Sequence, residues 1–459
     1  MVFSSNIFLF FYLPITLAAY YITPKRFRNI TLLIASLFFY GWGEPIYLIL
    51  MIAVIMLNYI SGLLISRKQE KGKDGKVVLI ISIIINIGIL GYFKYAGFAV
   101  RTLQTLTSWK DLTIPEVILP IGISFYIFQS MSYTIDVYRN DAEAQKSVVN
   151  FAAYVSMFPQ LIAGPIVRYK DVAFQLERRS ENVDQFASGI ERFIIGLAKK
   201  VLLANYAGAL WQELISDTGT LSAWVGMIAY CLQLYFDFAG YSDMAIGLGR
   251  MLGFEFLENF NYPYISKSVT EFWRRWHMSL ATWFKEYVYI PLGGNRVSKL
   301  RYVFNVVIVW GLTGLWHGAG WNYVLWGLYS ALFLILEKFV WGKALKKAPN
   351  VLRHAYFLLV IGISMMIFYF EDLSEFAQFM PRLISMKSGS EHCLNTIVAY
   401  LPCLVIGIFA CTPIFRRMYE KIENTSWRWI SIPILSAIML LCVASLATQS
   451  YNPFIYFRF

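Results

Sequence analysis

The stretch VVLIISIIINIGILGYFKYAGF, residues 77–98, holds one charged side chain, Lys94, in 22 positions. A run of that length and apolarity crosses a bilayer as a helix, which takes about 20 residues. Similar runs fill most of the 459-residue chain, which is 58% hydrophobic and 17% aromatic, with 15% charged residues and a mean hydropathy of +0.54. Soluble domains carry closer to ~25% charged residues. The composition therefore predicts an all-α, polytopic integral membrane protein with one transmembrane domain over residues 1–459, not an anchored soluble head. The first run, residues 6–22, lacks a basic leader and a small-residue cleavage site, so it reads as a retained span.

The net charge is +12, from 40 Lys and Arg against 28 Asp and Glu. The basic residues cluster in short loops between apolar runs, the pattern of cytoplasmic loops and not of a nucleic-acid surface. Pro24-Lys25-Arg26-Phe27-Arg28 follows the first span, and a basic segment from Arg67 to Lys76 follows the third. The loop between the second and third spans, Gly43-Glu44-Pro45, carries no cation. This places the N-terminus outside. Later basic loops, with Lys343, Lys346, Lys347 and Arg353, then with Arg416, Arg417, Lys421 and Arg428, lie inside and put the C-terminal tail, residues 451–459, outside. The five cysteines (Cys231, Cys393, Cys403, Cys411 and Cys442) have no zinc-type spacing and read as small apolar residues.

Residues 101–200 are less regular. Pro120, Gly122, Pro159, Gly164 and Pro165 interrupt their apolar pieces and would kink or break helices. Broken helices at membrane depth are tolerated where protein or an aqueous cavity satisfies the backbone, so the region either lines a cavity or forms kinked spans. Asp237 and Asp243 lie in or at the edge of a later span. Buried carboxylates need partners, and structural salt bridges are the expectation there.

Residues 268–290 place Trp273, Trp276, Leu280, Trp283, Phe284 and Tyr287 on one helical face at about 100° per residue. Arg274 and Lys285 flank that face and His277 borders it. The pattern is that of an amphipathic helix lying at the cytoplasmic membrane surface. Residues 302–341 are long enough for two spans, with Gly311, Gly314, Gly318 and Gly320 permitting close packing or a bend beside His317.

The chain has four histidines. His317 lies in GLWHGAGWNYVLWG, residues 314–327, where an imidazole in an apolar run is a functional-site hypothesis by default. The structural reading, a packing histidine bonded to a neighbouring helix, competes with it. A second histidine, His277, in an equally aromatic setting favours function. Imidazole titrates near neutrality and can take a proton from a hydroxyl. His354 and His392 lie in loops. No GxSxG elbow, Walker loop or HExxH is present. Two histidines with distant aspartates do not make a metal site.

His317 in WHGAGWNYVLWG and His277 in FWRRWHMSL are joined by LPIGISFYIFQSMSYTIDVYR, FPQLIAGPI and DFAGYSDMAIG. Together these segments resemble the membrane-bound O-acyltransferase family, in its bacterial alginate O-acetyltransferase-like branch, which also includes peptidoglycan and cellulose acetylation proteins. The resemblance runs over nearly the whole chain. It implies a bundle of about eleven spans with re-entrant pieces and a central tunnel. On that resemblance His317 is the catalytic histidine and His277 the second functional one. The donor implied is cytoplasmic acetyl-CoA, whose phosphates Arg274, Arg275 and Lys285 would meet. Asn322 is a candidate donor to the oxyanion.

The resemblance also implies a plasma (inner) membrane location and a polysaccharide acceptor, reached through an extracytoplasmic esterase-like transferase. The tail NPFIYFRF, residues 452–459, resembles a C-terminal motif of the same branch in which a tyrosine, here Tyr456, carries the acyl group. An aromatic anchor at the interface is the alternative reading of the tail. Acyl transfer from a carrier-protein thioester, as in D-alanylation, and a non-catalytic polysaccharide exporter remain as competing functions.

Overall fold

The computed structural model describes residues 1–107, 113–115, 117–423, 425, 428–448 and 454–455. Among these the secondary structure is entirely helical. Seven helices among the described residues are long and apolar enough to cross a membrane: Tyr47–Glu70, Lys76–Leu106, Val183–Leu214, Thr220–Met251, Asn350–Tyr369, Glu391–Ala410 and Ser431–Thr448. Phe8–Ile22 is apolar but shorter. The run that decided the fold class lies within one unbroken helical stretch, with a π-turn at Gly91–Tyr95.

The chain divides into two compact units, Met1–Phe193 with Met244–Leu257, and Ile194–Asp243 with Glu258–Phe459. In the first, the irregular region resolves into short helices, Ile123–Arg139, Val148–Ser156, Phe158–Leu161 and Tyr169–Glu177. Residues 123–137 are buried on every face. Side chains satisfy the backbone that the breaks leave open. Ser36 Oγ accepts from Phe158 N–H (3.1 Å), Tyr154 O–H donates to the Val167 carbonyl (2.9 Å), and Gln160 Nε2 donates to that of Tyr154 (2.6 Å). This is the condition under which broken helices survive at membrane depth. The first basic loop is tied down by Arg28, 2.9 Å from Glu181 Oε1.

In the second unit the two acidic residues of the Thr220–Met251 helix are paired, as expected of buried carboxylates. Asp237 meets Lys200 at 2.7 Å and Asp243 meets Lys199 at 2.5 Å. Residues 302–341 form two helices, Lys299–His317 and Trp321–Phe339, separated by a break at residues 318–320. Their glycines act chiefly in packing: a Cβ on Gly314 would strike the Tyr323 carbonyl, and one on Gly327 would strike that of Trp310. Gly311, by contrast, faces open space. Close backbone approach is how small residues bring membrane helices together.

The expectation of one amphipathic surface helix over residues 268–290 is corrected. Val269–Trp273 and Met278–Phe284 are separate short helices, and Lys285–Tyr289 continues as a π-turn. Its aromatic face does not meet lipid, because Trp276, Leu280, Trp283, Phe284 and Tyr287 are all buried in protein. Helical periodicity reports which side chains share a face, and that face can be covered by protein as well as by a bilayer.

Candidate active site

His277 is the joint between the two short helices. Its φ of 45° and ψ of 52° lie in the left-handed region, a conformation uncommon outside glycine that costs about 1–3 kcal/mol and persists only where its surroundings enforce it. Residues 259–261 supply that enforcement. The Asn259 carbonyl accepts from Met278 N–H and Asn261 N–H donates to the Arg275 carbonyl, each at 2.9 Å, on either side of the break. The Asn259 side chain reaches His277 as well, with Oδ1 3.0 Å from Nδ1.

The preceding helix is held by a buried carboxylate. Glu337 Oε1 accepts from Val269 N–H (2.7 Å), and its Oε2 accepts from Thr270 N–H (2.8 Å) and Oγ1–H (2.5 Å). A carboxylate at a helix N-terminus satisfies open N–H groups and complements the helix dipole.

His317 is the last residue of its helix, which ends where Gly318 turns extended. Trp316, Trp326 and Phe368 set their rings nearly perpendicular to the imidazole, at centroid distances of 5.0, 5.0 and 5.4 Å. The two histidine rings stand 6.3 Å apart, and both are buried, His317 6% and His277 3% exposed. Burial first, and the neighbouring His317 second, push the His277 imidazole well below its ordinary value, so its neutral form is the stable one.

Both histidines line one cavity of about 1160 Å³, built within residues 268–353. Trp273, Trp276, Phe284, Trp310 and Trp326 contribute apolar walls, while Arg274, Arg275, Lys285, Lys343, Lys346 and Arg353 contribute cations. Of these, Arg275 is committed to Glu271 at 3.0 Å. The cavity thus joins a positively charged lining to two imidazoles, an arrangement able to hold an anionic molecule and to move a proton.

The structure brings His277, His317, Arg274, Arg275 and Lys285 together around this cavity. Asn322 is placed differently. It is buried, and its Nδ2 gives one hydrogen to the Phe368 carbonyl at 3.3 Å. Tyr456 lies outside the described residues. The two tail residues that are described are buried in the second unit: Phe454 stacks on Tyr241 at 4.7 Å, and Ile455 N–H donates to Asp237 Oδ2 at 2.8 Å. His354 and His392, expected in loops, lie instead in the helices Asn350–Tyr369 and Glu391–Ala410, at the Ser266 carbonyl and at Glu213, and neither lines the cavity.

Residues 123–374 match the model of the membrane-bound O-acyltransferase family. The chain belongs to that family. This membrane-bound O-acyltransferase is 40% identical to a probable alginate O-acetylase of Azotobacter vinelandii and 39% identical to one of Pseudomonas aeruginosa, with all of each chain covered. It is 30% identical to a peptidoglycan O-acetyltransferase of Helicobacter pylori, over 100% of this chain and 98% of that one. As a family member it is an acyltransferase, and it is a multi-pass membrane protein.

Three further sets of residues shape the site of this O-acyltransferase. Lys343, Lys346 and Arg353 were read as topology signals alone, yet they line the cavity with the expected cations. Glu337, an acidic residue in an apolar helix, carried the same signal as His317. Asn259 carried no such signal, since either asparagine of ENFNYPY, residues 258–264, is indistinguishable from a turn residue.

Proposed function

We propose that the chain transfers acetyl groups from cytoplasmic acetyl-CoA toward O-acetylation of a cell-surface or secreted polysaccharide such as alginate, peptidoglycan or cellulose. The observation that carries this reading is one cavity lined by both buried histidines and seven of the chain's cations. The donor phosphates would lie against Arg274, Lys285, Lys343, Lys346 and Arg353, with the thioester reaching inward. His317 takes the proton of the acceptor hydroxyl as its oxygen attacks the thioester carbonyl. The tetrahedral oxyanion then collapses, the C–S bond breaks, and the proton passes to the leaving thiolate.

On this reading the first acceptor is the Tyr456 hydroxyl, at the end of an extracytoplasmic tail, residues 451–459. An esterase-like transferase outside then receives the acetyl group. The buried placement of Phe454 and Ile455, immediately before Tyr456, supports a tail engaged with the protein over one lying in the interface. Both termini lie outside the plasma (inner) membrane, as the distribution of basic loops indicates.

Purified protein should become labelled from radioactive acetyl-CoA without a carrier protein, and His317→Ala should abolish acetylation in cells while leaving the amount of polymer unchanged. A requirement for an acyl carrier protein would replace this reading with D-alanyl-type transfer. Loss of polymer with its acetylation per residue intact would indicate an exporter. Normal labelling of Tyr456→Phe would remove the tyrosine relay.

A further inference from the structure

We propose that Asn259 is a positioning residue that fixes His277 as the Nδ1–H tautomer, so that Nε2 is the nitrogen with a lone pair. The inference rests on which end of the Asn259 amide is oxygen. The backbone N–H of Ser279 lies 3.3 Å from Oδ1. A backbone N–H can only donate, so the amide atom it meets must be the acceptor. Ser279 Oγ–H donates to the same oxygen at 2.9 Å, and at the other end of the amide Nδ2 donates to Ser242 Oγ at 3.0 Å. Both ends are therefore assigned by their partners, and no flip of the amide satisfies them.

An amide oxygen cannot donate. The His277 Nδ1 that stands 3.0 Å from Asn259 Oδ1 must accordingly carry the hydrogen. In the neutral imidazole the lone pair is then on Nε2. Asn259, Ser242, His277 and Ser279 are all buried, so water does not compete for these bonds and the tautomer preference is enforced in a low-dielectric interior. Two further contacts act on the same residue. The Asn259 carbonyl holds Met278 N–H at 2.9 Å, fixing the backbone just past His277, and Phe238 presents its ring at 86° to the imidazole, 4.6 Å away. Asn259 thus sets the backbone turn, the ring orientation and the proton position of a histidine that lines the cavity.

The consequence for transfer depends on the function proposed above, in which His277 serves the reaction; the tautomer itself does not. The test uses the purified full-length protein with ¹⁵N-labelled histidine. Only four histidines are present, and subtraction of the His277→Gln spectrum assigns the resonances. Wild type is expected to show a protonated Nδ1 and a lone-pair Nε2 at His277. Asn259→Asp keeps an oxygen at the same place and is expected to preserve that pattern. Asn259→Leu removes the acceptor and is expected to shift the pattern toward Nε2–H, with acetyl-transfer kcat falling at least about tenfold and the donor KM staying within about twofold.

An Nε2–H pattern in wild type overturns the proposal, as does an unchanged pattern in Asn259→Leu. If the leucine variant does not fold, the other two proteins decide: loss of the Nδ1–H in Asn259→Asp also refutes it. Absence of all acetyl labelling in wild type would count against the function alone, because the tautomer is read independently.

Discussion

His277 and His317 stand with ring centroids 6.3 Å apart and planes tilted by 62°, one at a left-handed joint between short helices, the other at the end of a 19-residue helix. Groups that serve one reaction lose activity non-additively. His277→Gln combined with His317→Gln is therefore expected to be no slower than the worse single variant. Initial rates of acetylation measure this, and losses that multiply would show the two imidazoles acting in separate steps.

The acid sensitivity of folding should report His277. Its imidazole is held well below the ordinary value by burial and then by His317, whereas an unfolded histidine titrates near 6.5. Below about 6.5 the unfolded chain binds a proton that the folded chain does not. The contribution to stability is complete above that pH and is lost as the pH falls toward the folded value, by up to about 1.4 kcal/mol per pH unit. Melting temperatures between pH 7 and 5 should therefore fall less in His277→Gln than in wild type. Parallel slopes would place the acid sensitivity elsewhere.

The cationic lining should act on the donor and not on the chemistry. Lys343 and Lys346 are exposed where they line the cavity, and Arg353 is partly so. Replacing all three with alanine is expected to raise the donor KM by about tenfold with little change in kcat, and to weaken its dependence on salt. A fall in kcat at unchanged KM would contradict a binding role.

The Asp237–Lys200 pair, 2.7 Å apart and buried on both sides, offers a test of the tail. Removing one member of a buried pair leaves an uncompensated charge and costs about 3–5 kcal/mol, while replacing both can be nearly neutral. Lys200→Met should therefore lower the melting temperature more than Lys200→Met with Asp237→Leu. Asp237 also accepts from Ile455 N–H, so the double variant, although folded, should be cleaved by trypsin at Arg458 faster than wild type. Unchanged cleavage would mean that this contact does not hold the tail.

Several features were legible in the residues themselves. Apolar length dictates helices because lipid offers the backbone no other partner, and the pairing of Asp237 and Asp243 follows from the cost of a buried charge. His317 and His277 stood out because an imidazole in an apolar aromatic run is costly unless it is used or bonded. The broken helix at residues 268–290 was not legible. Its periodicity is continuous through His277, and only the bonds from Asn259 and Asn261, close in space but outside that segment, turn the backbone there. Nor does the chain order show that Asn322, close to His317 in sequence, gives one of its amide hydrogens to the Phe368 carbonyl.

The sequence by itself determined that the chain is helical and membrane-spanning and marked His317 as a candidate, since hydropathy, charge distribution and the cost of burying a polar group are properties of residues in order. Tertiary structure alone decided that the cations of three separated segments line one cavity with both histidines, that Gly314 and Gly327 serve close helix contact, and that Asn259 sets the geometry of His277. The physical reason is the range of the interactions. Hydrophobic burial acts on a helix face and can be read from spacing, whereas a hydrogen bond at 3.0 Å between residues 18 apart depends on where distant backbone comes to rest.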